Sequence, residues 1–147
     1  MRNVYLDNNA TTRVAPEVIA AMAPFFQELW GNPSSMHYFG GQVARHVEKA
    51  RAQTAALIGA DPSEIVFTSC GTESDNAAIF GAVEAHGPGV KVILSRVEHP
   101  AVLGPCRRLR EHGHEVVELG VDSTGQLSLD DLRRELSRGP AVASIMW

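Results

Sequence analysis

Thr68-Ser69-Cys70-Gly71-Thr72-Glu73-Ser74-Asp75-Asn76 lies between an apolar, β-like run, Glu64-Ile65-Val66-Phe67, and a helix-like run from Ala77 to His86. A chain that turns sharply through glycine from strand to helix leaves the first N–H groups of the helix unpaired and converging. The partial positive charge there suits a phosphate. Gly71 lets the backbone approach an anion closely, and Thr72 adds a hydroxyl donor at the same place. On this stretch alone, an ordinary β-α turn with a threonine cap explains the same residues equally well. A second signal follows one β-α unit later. His99, in Arg96-Val97-Glu98-His99-Pro100, comes just after the apolar run Val92-Ile93-Leu94. Most histidines near a helix start only cap or face solvent. Beside a phosphate turn, however, an imidazole can stack on a flat heteroaromatic ring and handle protons. The pair suggests a site for a phosphorylated aromatic cofactor.

Outward from this stretch the pattern alternates. Strands are expected near 65–68, 90–94, 115–119 and 141–146, and helices near 72–86, 101–112 and 129–137, the last capped by Ser128. Strands alternating with single helices predict an α/β fold whose sheet is mainly parallel. Before residue 64 the chain reads differently. Val4-Tyr5-Leu6 is short and extended, and Asp7-Asn8-Asn9-Ala10-Thr11-Thr12 is a polar turn. Pro16 opens a helix in which Val18, Ile19, Met22, Phe25 and Phe26 recur at helical spacing. Gly31-Asn32-Pro33-Ser34-Ser35 is a loop. A longer amphipathic helix places Val43, Val47, Ala50, Thr54, Leu57 and Ile58 on one face and stops at Gly59. The chain reaches Trp147 on an apolar, strand-like run, which reads as a piece of something longer.

Composition excludes several classes. The 147 residues make one domain's worth of chain. A net charge of −4 gives no electrostatic case for nucleic acid. No apolar run approaches the ~20 residues of a membrane helix, and Met1-Arg2-Asn3-Val4-Tyr5 lacks an apolar signal core. A cytoplasmic setting without membrane association is expected. Cys70 and Cys106 form no Cys-x-x-Cys pair and no disulfide framework. Cys106 shares an apolar face with Val102 and Leu109 and reads as core. Cys70 at a helix start could have a lowered thiol pKa, but packing behind the turn is the preferred expectation. His112 and His114 read as a solvated helix end. No histidine or cysteine spacing matches a metal site. Gly-x-x-x-x-Gly-Lys-[Ser/Thr], Gly-x-Gly-x-x-Gly and Gly-x-Ser-x-Gly are all absent, which removes support for P-loop, dinucleotide and serine-hydrolase readings.

Four motifs, in order, resemble those of the nitrogen-fixation type of cysteine desulfurase, pyridoxal-phosphate enzymes of the class V aminotransferase group. They are Tyr5-Leu6-Asp7-Asn8-Asn9-Ala10-Thr11-Thr12, Gly31-Asn32-Pro33-Ser34-Ser35-Met36-His37 with Phe39-Gly40, Phe67 through Asn76, and Glu98-His99. Cys70 departs from the small residue, commonly glycine, expected before the phosphate turn. The resemblance implies a fold-type I transferase, represented by an N-terminal active-site arm at 1–15 and, over 16–147, a helical entry segment with the incomplete large cofactor-binding domain. It implies that Gly71 and Thr72 bind the phosphate of pyridoxal 5'-phosphate and that His99 stacks on the ring and aids proton transfer. Asn8, Ala10, Thr11 and Asn32 are expected near the substrate or a dimer interface. The implied reaction removes sulfur from L-cysteine, giving L-alanine and an enzyme persulfide for an iron–sulfur scaffold or other acceptor, in a homodimer. Selenocysteine lyase, another class V aminotransferase and a non-catalytic fragment are the alternatives. Lys49 and Lys91 do not match the family's cofactor-bearing lysine. The chain alone is therefore expected to be inactive, with that lysine, the sulfur-accepting cysteine and the aspartate partner of the pyridine nitrogen lying further on. Met146-Trp147 resembles the start of a motif that continues into Asn-Asn-Glu.

Overall fold

The computed structural model describes residues 3–146, so the expectation on Trp147 lies outside the described residues. The chain divides into two compact units, Met1–Val66 and Phe67–Trp147.

The first unit is helical. Pro16 opens α1 (Pro16–Met22), as its missing N–H predicts. The expected single helix through Phe26 is broken in two. Pro24 cannot continue the hydrogen-bond ladder and instead begins α2 (Pro24–Gln27). The long helix α3 (Tyr38–Ile58) starts at His37, whose Nδ1 accepts the N–H of Gly40 at 3.4 Å. It ends at Gly59, in the left-handed region at φ 69°. Gly40 is required by space: a Cβ there would collide with the carbonyl oxygens of Asn32 and Ser35, so the 31–35 loop packs directly on the helix start. The expected apolar face is only partly buried. Val43 is covered, but Leu57 and Ile58 are 85% and 67% exposed, because no described element packs over the last turn. A short 3-10 turn, Pro62–Glu64, closes the unit with a capping box on Asp61.

The second unit contains α4 (Gly71–His86), β1 (Lys91–Ser95), α5 (Pro100–Glu111), β2 (Val116–Leu119), α6 (Leu129–Leu136) and β3 (Ala141–Ser144). The three strands form a parallel sheet in the order β2-β1-β3. β1 is central and wholly buried, which is why it reads as a continuous apolar run rather than an alternation. Its side chains still alternate between faces. Val92 and Leu94 join Ile79 and Val83 of α4 and Val102, Cys106 and Leu109 of α5 in one core. Lys91, of opposite parity, is only 4% exposed and reaches Glu135 of α6, donating from Nζ to its backbone oxygen at 2.5 Å and pairing with its carboxylate at 3.7 Å. Ser128 caps α6 as expected, accepting the N–H of Asp131 at 3.2 Å.

One expected strand is absent. Residues 65–68 are extended at Ile65 (φ −90°, ψ 124°) but join no ladder, and Val66 is 79% exposed. The residues suit a pleated strand, yet a strand exists only where a neighbour offers its N–H and C=O groups. β3 is likewise shorter than expected, ending at Ser144.

Candidate active site: a cleft between two helix starts

α4 begins at Gly71, with Cys70 as its N-cap in extended conformation, so Gly71 and Thr72 occupy the first two helical positions. The turn before them is held by side chains. Glu73 accepts both the backbone N–H of Ser69 at 2.7 Å and its hydroxyl at 2.6 Å. Thr68 and Ser74 hydroxyls meet at 2.6 Å. The Ser69 hydroxyl and N–H together hold the Glu73 carboxyl below its usual range. Among the described residues, no oxygen acceptor meets the N–H groups of Gly71 or Thr72, and both residues are exposed. A Cβ at Gly71 would touch nothing within 4 Å, so nothing in this fold requires glycine there, and open space lies beside the backbone. These are the properties of an anion-receiving helix terminus.

His99 is the N-cap of α5, four residues beyond the carboxyl end of β1. Its Nδ1 accepts the N–H of Ala101 at 3.1 Å, so the neutral ring carries its proton on Nε2. Thr72 and His99 line one open cleft of about 530 Å³, together with Asn76, Phe80, Pro100, Ala101, Gly104, Pro105 and Arg108. Gly71 adjoins this cleft without lining it. The position agrees with the rule that open parallel sheets bind ligands beyond the carboxyl ends of their strands.

Asn76 was not singled out from sequence, yet it fixes the cleft's width. Its Nδ2 donates to Thr72 O at 2.8 Å and to Ala101 O at 3.3 Å, tying α4 to the first turn of α5. The available signal was its i,i+4 spacing from Thr72, which puts both on one helix face. Phe80 continues that face.

Cys70 corrects an expectation. It is exposed rather than packed behind the turn. The N–H of Glu73, then the Ser69 hydroxyl, hold its thiol below the ordinary value. Cys106 is core, as expected, and burial pushes its thiol up. Asn8, Ala10, Thr11 and Asn32 lie in the first unit. Ala10 and Thr11 N–H groups both turn back to Asp7 O, and Asn32 Oδ1 accepts the Ser34 N–H at 2.9 Å. Lys91 is held by Glu135, while Lys49 is exposed on α3. Among the described residues, no group of three or more His, Cys, Asp or Glu could hold a metal ion, and no helix is long and apolar enough to cross a membrane.

The residues present fit pyridoxal phosphate: helix-start N–H groups and a hydroxyl for a phosphate, and an imidazole on the same cleft for a flat ring. The family model for aminotransferase class-V matches residues 4–147. A cysteine desulfurase of Nostoc sp. is 53% identical over 147 residues, covering 100% of this chain and 37% of the relative. A solved NifS-like protein superposes with a TM-score of 0.89 at 40% identity, over 99% of this chain and 40% of that one. SspA, solved in complex with cysteine, superposes with a TM-score of 0.85 at 33% identity, over 96% of this chain and 41% of that one. The chain thus spans well under half the length of the relatives it matches.

Proposed function

Since this chain belongs to the class-V aminotransferase family, we propose that the intact protein carrying it is a pyridoxal-phosphate-dependent cysteine desulfurase. The observation that carries this is the convergence of Thr72, at the start of α4, and His99, at the start of α5, on one cleft. Gly71 and Thr72 hold the phosphate through backbone N–H groups and the Thr72 hydroxyl. His99 lies against the cofactor ring and exchanges a proton through Nε2, the nitrogen its bond to Ala101 leaves outward. Asn76 keeps the two helix starts at a fixed separation. Bound in this cleft, pyridoxal phosphate supplies an electron sink for the substrate carbon.

The substrate is L-cysteine, supported by the cysteine bound to SspA and by the relatives' names. The products are L-alanine and a protein persulfide, passed to an iron–sulfur scaffold or similar acceptor. Residues 1–15 act as an arm bearing Asn8, Ala10 and Thr11, and with Asn32 they serve the substrate or the interface of a homodimer. Residues 16–147 comprise the helical entry segment and part of the cofactor-binding domain, in a cytoplasmic enzyme. Neither Lys49 nor Lys91 takes the cofactor.

The test is alanine release by the intact protein from cysteine and from selenocysteine. Release from cysteine, lost by on the order of 10²–10⁴-fold in His99→Ala, is expected. Preference for selenocysteine would favour a lyase. Wild-type turnover in His99→Ala would reduce this histidine to a cap.

A further inference from the structure

Glu98 is only 7% exposed, an unusual place for a carboxyl group that forms no ion pair among the described residues. Its Oε1 accepts two hydrogen bonds. One comes from the hydroxyl of Ser95, the last residue of β1 and 2% exposed, at 2.6 Å. The other comes from the backbone N–H of Met146, beyond the end of β3, at 2.6 Å. On the other side of β1, the N–H of Arg96 donates to Leu119 O of β2 at 3.0 Å. The four residues between β1 and α5 are therefore tied to β2 on one side and to the segment after β3 on the other, and Glu98 makes the second tie immediately before His99.

A buried carboxyl left without its donors is strongly disfavoured, so this arrangement favours one shape of the loop. His99 follows with φ −64° and ψ 149°, the backbone conformation in which its Nδ1 accepts the N–H of Ala101. Loosening Glu98 would free the backbone at 98–99 and let the ring exchange tautomers. We propose that Glu98 is a positioning residue: by clamping the β1–α5 loop to Ser95 and Met146 it fixes the orientation and tautomer of His99. This rests on the functional reading above for its consequence in turnover, but not for its effect on the imidazole.

The experiment uses the intact protein with 15N-labelled histidine, read first without cofactor. The His99 ring signals are identified by their loss in His99→Gln. In the wild type, Nδ1 should have the shift of an unprotonated nitrogen and Nε2 that of a protonated one. In Glu98→Ala the two shifts should move together, while the signals of the other histidines stay put. Glu98→Gln keeps an oxygen that can accept both bonds and should restore the wild-type pattern. Ser95→Ala removes one donor and should give a partial change. In the cofactor-loaded enzyme, kcat in Glu98→Ala should fall on the order of 10–100-fold with KM little changed, and Glu98→Gln should recover it. A folded Glu98→Ala protein with an unchanged His99 spectrum overturns the proposal. If Glu98→Ala does not fold, an unchanged spectrum in Ser95→Ala overturns it, as does a Glu98→Gln spectrum in which the two shifts have merged. Absence of alanine release in the wild type would sink the desulfurase reading alone, since the imidazole shifts need no turnover.

Discussion

The two units of this chain use the same kinds of residues to different ends. The second buries Val92, Ile93 and Leu94 to within 1% of full occlusion and packs α4 and α5 on Val92 and Leu94. The first buries little besides Gly40, Val43 and Ala55, while Phe26, Trp30 and Met36 are 75%, 71% and 105% exposed. The hydrophobic effect scales with apolar area removed from water, so the second unit is held by its interior, and the first by helix caps and close backbone packing. The cleft lined by Thr72 and His99 lies within the second unit, whose core gives its two helix starts a rigid base.

The comparison can be broken most directly at its centre. Leu94→Ala should lower unfolding stability by about 2–5 kcal/mol, as a buried leucine in a packed core does. Urea denaturation followed by circular dichroism reads this, and a loss below about 0.5 kcal/mol would show that the second unit has no dominant core. Gly40→Ala asks whether packing in the first unit is equally exacting where backbones touch. A methyl group there must displace Asn32 or Ser35, with an expected cost of about 1–3 kcal/mol in the same measurement. No change would mean that the 31–35 loop yields freely.

Within the second unit the two thiols separate rim from core. Near neutral pH, iodoacetamide should modify Cys70 well before Cys106, with mass spectrometry of peptides as the measure. The sign follows from the shifts. A lowered pKa puts more of Cys70 in the thiolate form as pH rises through the neutral range, and burial withholds both charge and access from Cys106. Faster labelling of Cys106 would contradict the core described above. The smallest effect belongs to the first unit's surface: Phe26→Ser should change stability by no more than about 0.5 kcal/mol, because the ring is already in water. A larger loss would reveal burial there.

The sequence by itself determined the local features. The cap at Ser128, the helix opening at Pro16, the stop at Gly59, the α/β alternation after residue 70 and the helix start at Gly71 depend on neighbours within a few positions, and all could be read directly. That Thr72 and His99 face one site was expected from successive strand ends meeting at one sheet edge; in the structure they share a cleft between the starts of α4 and α5, without a strand before Gly71. Tertiary structure alone decided the rest. Residues 65–68 have the composition of a strand but join no sheet among the described residues; Leu57 and Ile58 have the periodicity of a buried face but are exposed; Cys70 is exposed. Asn76 and Glu98 gained their places only when α5 and the end of β3 came within hydrogen-bond reach. Propensity is a property of a residue and its near neighbours, whereas burial and pairing belong to segments distant in sequence, which the chain brings together only on folding.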